Sequence, residues 1–241
     1  MAAKLALISG GSRGLGEALC QCCAAQDYTL IEFSRSARAS YSVAVDCAVP
    51  AQAARVFADT LAPLAAQSWD EILVVQNTAT LKPIGAVQDK SAVQVCANLD
   101  TNISSAILFM REVLLQFQAQ PCRKSLLNVS SGAALKAYAG WSLYSAGKAA
   151  TEAFVRALAL EQAQQEHPFL VLNVDPGVMD TQMQAEIRQS GADDFPEVAR
   201  FIQRQAAGEL RAAADVAAAL LRVVAARPPS GSRVAAADFL P

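Results

Sequence analysis

The sequence holds a single histidine, His167, in 241 residues. A Ser/His/Asp hydrolase needs an imidazole placed beside its nucleophile, and one histidine in a loop before Pro168 makes that class a poor fit. An excess of one charge is missing as well: Lys+Arg number 20 and Asp+Glu 22, for a formal net charge of −2. Because both signs are scattered, no basic stripe exists to neutralise a phosphate backbone or an anionic membrane surface. Neither nucleic acid nor membrane is therefore an expected partner. Long hydrophobic runs are absent too. The best candidate, "VAAALLRVVAA", carries Arg222 at its centre and falls short of the roughly 18 apolar residues of a spanning helix. The opening "MAAKLALISGGSRG" turns from a short apolar run straight into glycine, unlike a secretory leader, so a soluble, cytoplasmic protein is expected.

Six cysteines are present, and the "CQCC" at 20–23 invites a metal reading. It lacks the second Cys or His pair that zinc sites use, so packed, reduced thiols and no metal are expected. No Pro/Gly/Ser-rich linker, repeat or low-complexity tract divides the chain, which favours one domain over residues 1–241.

Short β-branched runs alternate with Ala/Leu-rich segments of helical period. That pattern predicts a doubly wound, Rossmann-type parallel sheet of seven strands with helices on both faces. The strands are expected at 4–9, 28–33, 42–45, 71–75, 125–129, 169–174 and 233–237. Helices are expected at 14–25, 51–66, 88–97, 101–118, 142–165, 180–190 and 213–226. Only about six residues, "SRSARA", join the second and third strands. A crossover helix does not fit there, so an extended connection is expected.

"LALISGGSRGLGEAL" runs from strand to glycine turn to helix, with Gly10, Gly14 and Gly16 at G-x-x-x-G-x-G spacing. Such glycines let the backbone approach a pyrophosphate, and the helix start points free N–H groups at the anion. Ser12, Arg13 and Leu15 complete the turn. The second strand ends "EFSRS", which presents Ser34 and Arg35 where an NAD-selective turn would carry an acid. With Arg13 nearby, two guanidiniums suit a 2′-phosphate and favour NADP(H).

"LYSAGKAA" places Tyr144 and Lys148 four residues apart, hence on one helix face. A free phenol ionises near pH ~10, and an adjacent ammonium lowers that value toward a usable acid/base. A solvated helix face has the same spacing, so the pair by itself is weak. Ser131 of "NVSSG", at the carboxyl end of a strand thirteen residues earlier, adds a hydroxyl able to stabilise charge on a carbonyl oxygen. Together with the dinucleotide turn, the combination is poorly explained by chance.

On these motifs the chain resembles the short-chain dehydrogenase/reductase family, from about Lys4 to Pro241. The resemblance implies an NADP-dependent oxidoreductase acting on a small-molecule carbonyl substrate. It also implies that Asn102, in "NISSAIL", joins Ser131, Tyr144 and Lys148 and holds a water in a proton relay. Asn98 and Asp100 are read as helix-cap or surface residues. By resemblance Asn77 of "QNTA" keeps one position of the family's Asn-Asn-Ala-Gly phrase, with Gln76 and Ala79 as departures. Asp46 meets the adenine, Pro176, Gly177 and Val178 line the nicotinamide, and Thr181 contacts its carboxamide. Residues 180–210 occupy the place of a substrate lid, and the segments 101–118 and 142–165 pack between subunits of a homodimer or homotetramer. "AYAGWSLYSAGKAA" and "PGVMDTQMQ" are most similar to sepiapterin reductase-like carbonyl reductases, which reduce vicinal dicarbonyl or pterin side-chain ketones. Asp238 is a possible substrate anchor by that resemblance, although alignment from "SG" puts Ala235 there instead. Leu135, Tyr138 and Trp141 are expected either to wall the substrate cleft or simply to pack the loop before Tyr144. Two other readings stay open: a non-catalytic NADP(H)-binding regulator, and a 3-oxoacyl-carrier reductase, which the lack of a basic patch in the lid disfavours.

Overall fold

A computed structural model describes residues 2–240. Seven strands form one sheet in the order β3-β2-β1-β4-β5-β6-β7, every neighbouring pair parallel. They are β1 (Lys4–Ser9), β2 (Tyr28–Ser34), β3 (Ser42–Ala44), β4 (Glu71–Gln76), β5 (Arg123–Val129), β6 (Leu170–Asp175) and β7 (Arg233–Ala235). The expected seventh strand is two residues shorter, because Ala236–Phe239 tightens into a 3₁₀ turn over the last helix. Between β2 and β3 the chain crosses without a helix, as the short spacing requires.

Strands read as continuous apolar runs because both faces are covered. On one face α1 (Gly14–Ala24) and α8 (Ala213–Ala226) bury Leu19, Cys20, Cys23 and Leu220 against Ile8, Val75 and Val174. On the other face lie α2 (Pro50–Ala65), α4 (Ser105–Phe117) and α5 (Ser142–Gln162). There Phe33, Phe57 and Phe109 meet edge to face at centroid distances of 5.1, 5.7 and 5.2 Å.

The expected break between helices 88–97 and 101–118 is not a break. A helix α3 (Ala92–Leu99), started by a Ser91/Gln94 capping box, runs through one π turn, Asp100–Ser104, straight into α4. No proline or glycine lies between 92 and 117 to stop it. Asn98 is therefore no cap: it lies inside the continuous helix and is 1% exposed.

Lys124 shows what holds the far end of α4. Its side chain is buried, and its Nζ donates to the carbonyls of Phe117 (3.1 Å), Gln118 (2.6 Å) and Gln120 (2.8 Å). One ammonium thus satisfies three carbonyls beyond the helix's own ladder, where the macrodipole is negative. Lys124→Met keeps the stem's packing and orphans those acceptors. We expect a loss of about 2–3 kcal/mol and a melting temperature lower by roughly 5–10 °C, read by thermal denaturation.

Candidate active site

The carboxyl ends of β1, β2, β3 and β4 border a cleft of about 1100 Å³. Ligands of open α/β sheets bind at this edge. Gly10, Ser12, Arg13, Gly14 and Leu15 line it, so the glycine turn forms its floor. Gly14 takes φ +56°, a left-handed backbone natural to glycine. A Cβ on Gly16 would run into the Gly10 carbonyl oxygen, which explains why the third glycine has no tolerance for a side chain even though it does not line the cleft. The turn is braced from β4. Asn77 Nδ2 donates to the Gly10 carbonyl at 2.8 Å, and Ser9 Oγ accepts from the Asn77 and Thr78 amides at 3.1 and 3.2 Å while donating to Gln76 Oε1. Gln76 is therefore a structural brace rather than a cofactor contact. Ala79, the other departure, does not adopt a left-handed backbone, so its methyl costs no strain.

At the end of β2, Glu32 is 1% exposed. Its Oε2 accepts the Gly11 amide at 3.1 Å and its Oε1 the Ser34 hydroxyl at 3.0 Å, so the carboxylate supports the turn from within and is withdrawn from the cleft. Ser34 and Arg35 line the cleft as expected, and so does Arg38, which the sequence reading missed. The signal was available: Arg38 stands on the same short crossover, three residues after Arg35. Arg13 reaches toward Glu186, at 3.7 Å. Asp46 lines the opposite wall and accepts the Ala48 amide at 3.0 Å.

Ser131, Tyr144 and Lys148 lie together, and none of the three lines this cleft. Ser131 follows β5 in an extended conformation, and its hydroxyl accepts the Ala133 amide at 3.1 Å. Tyr144 and Lys148 share the inner face of α5, 6% and 7% exposed. Lys148 Nζ donates to the Val129 carbonyl at 2.6 Å and sits 5.8 Å from the Tyr144 ring centre. Burial pushes the phenol up to about 12; the Ser131 hydroxyl pulls it down by less, and Asp175 adds to the rise. Burial pulls the Lys148 ammonium down to about 8, with Glu152 opposing. Sequence spacing suggested a phenol made more acidic by its lysine neighbour. In the folded chain the largest influence on the phenol is burial, which acts in the opposite direction.

Asn102 occupies the π turn, a distortion common at functional sites. Its Oδ1 accepts the Thr80 amide at 2.8 Å, while its Nδ2 donates to the Thr80 carbonyl at 2.9 Å and to Asn98 Oδ1 at 3.0 Å. Both amide protons are thus committed, which leaves a relay through this side chain one lone pair of Oδ1. Asn98, expected at a cap or surface, instead donates to the Lys82 carbonyl at 2.8 Å and with Asn102 fixes the segment after β4. Gly147 makes this possible. A Cβ there would meet Asn102 Cβ at 2.8 Å, so the glycine between Tyr144 and Lys148 lets α5 approach the π turn.

An aromatic cluster covers Tyr144. Trp141 meets it edge-on at 5.8 Å, stacks flat on Phe195 at 4.4 Å, and touches Tyr138 and Phe201 at 5.0 and 5.4 Å. Leu135, by contrast, is 71% exposed and joins no part of this cluster. Phe195 and Phe201 come from the 180–210 segment, which contains α6 (Gln182–Arg188) and α7 (Val198–Ala206). That excursion leaves and rejoins the body at one bridge, where the Asp180 amide donates to the Arg211 carbonyl and the Arg211 amide to that of Val178. Thr181 caps α6 and lines the cleft. Pro176, Gly177 and Val178 form the turn after β6 and do not line the cleft in this state. Asp238 lies exposed on the 3₁₀ turn that packs on α8 and does not line this cleft.

The fold and much of the sequence are shared with known proteins. The family model for short chain dehydrogenase matches residues 4–192. Benzil reductase ((S)-benzoin forming) of Bacillus subtilis (strain 168) is 28% identical over 242 aligned positions, covering 98% of this chain and 100% of its own. Sepiapterin reductase of Xenopus tropicalis is 32% identical over 135 residues, covering 55% of this chain and 49% of that protein. Among solved structures the KRED1-Pglu enzyme superposes with a TM-score of 0.81 at 28% identity, covering 96% of this chain and 100% of that one. Since the family model accounts for most of its length and relatives align across nearly all of it, the chain belongs to the short-chain dehydrogenase/reductase family of nicotinamide-dependent oxidoreductases.

Proposed function

We propose that this protein is an NADPH-dependent reductase of vicinal diketones carrying aromatic groups, using Tyr144 as the proton donor. One observation carries the reading. A buried phenol lies beside the Ser131 hydroxyl and the Lys148 amine, under a wall of aromatic rings. Relatives named for reduction of benzil, a dicarbonyl, align with the chain along its length, which supports the substrate class.

The cleft fits a dinucleotide. Glycines stand where a Cβ would block the floor, and Arg13, Ser34, Arg35 and Arg38 line the cleft. Glu32, the acid that would favour an unphosphorylated ribose, is already engaged by Gly11 and Ser34. Basic groups without a competing carboxylate at the end of β2 favour the 2′-phosphate of NADP(H). Asp46 and Asn77 would border the adenosine half, and Pro176 to Thr181 would border the nicotinamide.

When bound, the reduced nicotinamide supplies the hydride. Ser131 orients the substrate carbonyl and stabilises charge on its oxygen. Tyr144 delivers a proton to that oxygen, and Lys148 favours the phenolate left behind. Asn102 shapes the pocket through Thr80 and Asn98 and offers Oδ1 to a water. The 180–210 segment acts as a lid that excludes water, since Phe195 and Phe201 complete the wall over Tyr144. The outer faces of α4 and α5, where Leu115 and Leu160 are 60% and 75% exposed, associate in a homodimer or homotetramer.

The test follows NADPH absorbance with aryl diketones, sepiapterin and simple aldehydes, beside a Tyr144→Phe control. Diketones should turn over fastest. Tight NADPH binding with no consumption above the control would instead make the protein a cofactor-binding regulator.

A further inference from the structure

Three segments of the candidate site meet at one side chain that none of the motifs above includes. Arg233, the first residue of β7, is 27% exposed in its side chain. Its Nη2 donates to the Ser131 carbonyl at 3.0 Å and to Asp175 Oδ2 at 2.9 Å, and its Nε donates to Glu152 Oε1 at 2.8 Å.

Each partner belongs to a different functional segment. Ser131 carries the hydroxyl assigned to the substrate carbonyl. Asp175 ends β6, and its other oxygen, Oδ1, accepts the Gly177 amide at 3.0 Å, which closes the turn assigned to the nicotinamide. Glu152 stands one helical turn after Lys148 on α5 and is 3% exposed in its side chain. It also accepts the Ser130 hydroxyl and lies 3.7 Å from Arg156. The network continues through the buried sheet: Asn173 Nδ2 donates to the Glu152 carbonyl at 3.2 Å, and Asn173 Oδ1 accepts from Asn128 Nδ2 at 2.8 Å.

We propose that Arg233 is a positioning residue. Its guanidinium sets the distance between the Ser131 loop and the Pro176–Gly177 turn and holds both against the helix that carries Tyr144 and Lys148. The inference rests on the reductase reading above. A planar fork of fixed geometry suits this work, because one rigid group bonds acceptors on three segments at once. Lysine is a point donor on a flexible stem and cannot reproduce it. Arg233 also balances charge. The groups facing Tyr144 are Lys148 from its own helix, Ser131 from the loop after β5 and Asp175 from the end of β6. Around Glu152 the facing groups are Arg233, Arg156 and Lys148. Without Arg233 the Asp175 carboxylate stands uncompensated near the phenol, which makes phenolate harder to form.

The experiment compares Arg233→Met, Arg233→Lys and Arg233→Met/Asp175→Asn by steady-state kinetics in both directions. For Arg233→Met we expect kcat for reduction about 10- to 100-fold lower, with KM for NADPH within threefold of the parent. The pH limb of alcohol oxidation, which needs the phenolate, should move to higher pH in Arg233→Met and return toward the parent position in the double variant. A merely structural role would not move and restore that limb. Should Arg233→Met fail to fold, Arg233→Lys carries the test, with kcat about tenfold lower and KM for NADPH unchanged. Parent-like kcat in either folded variant overturns the proposal, as does a kcat loss with no movement of the limb in Arg233→Met. A reductase activity that survives Tyr144→Phe would instead overturn the functional reading beneath it, so the two failures are told apart by which variant stays active.

Discussion

Tyr144→Phe is expected to lower kcat for ketone reduction by about 10²- to 10⁴-fold while NADPH still binds. Phenylalanine removes the one atom that carries the proton. It keeps the ring that packs against Trp141 and sits near Lys148, so the fold and the aromatic wall survive. The pH behaviour follows from the same environment. With burial pushing the phenol up to about 12, the group is protonated across neutral pH, and the acid needed for reduction is fully present. Alcohol oxidation needs the deprotonated form, so its kcat/KM should rise about tenfold per pH unit through the neutral range. Parallel profiles for the two directions, or a phenylalanine variant within threefold of the parent, would remove Tyr144 from the chemistry.

The second large effect concerns the cofactor. Arg35→Ala/Arg38→Ala should raise the Kd for NADPH by about 100-fold, or about tenfold for each guanidinium lost, and leave the Kd for NADH within threefold. Both side chains line the cleft from an exposed crossover. Their attraction is therefore screened, and the parent's NADPH affinity should fall as salt rises while the variant's changes little. Glu32 makes a useful contrast, since its carboxylate bonds Gly11 and Ser34 inside the turn. Fluorescence titration with both cofactors reads all of this. An equal loss of NADPH and NADH affinity would show that the arginines support the turn rather than the extra phosphate.

Much of the architecture was legible before folding because it depends on local pattern. "KLALIS" has no polar face, so it had to lie inside a sheet covered on both sides, and β1 is buried along nearly its whole length. The glycine turn was legible for a similar reason: the left-handed backbone of Gly14 and the contact of Gly16 with the Gly10 carbonyl both arise within the turn itself. Arg38 was overlooked because a charge on an exposed crossover has no periodic signature. Asn98 was misplaced because helix signals are local, whereas its partners, Lys82 and Asn102, converge only when the segment after β4 folds against the π turn.

What the sequence alone determined is the inventory and its spacing: the strand and helix periods, the three glycines, and a tyrosine and lysine one turn apart on a single face. What the tertiary structure decided is the state of those groups. The phenol is made a weaker acid by burial, the lysine is drawn to the Val129 carbonyl, and Arg233 is bonded to three segments that lie far apart in the chain. The reason is physical. Desolvation and ion pairing depend on which atoms replace water around a charge, and those atoms come from strands and loops that only the completed sheet brings together.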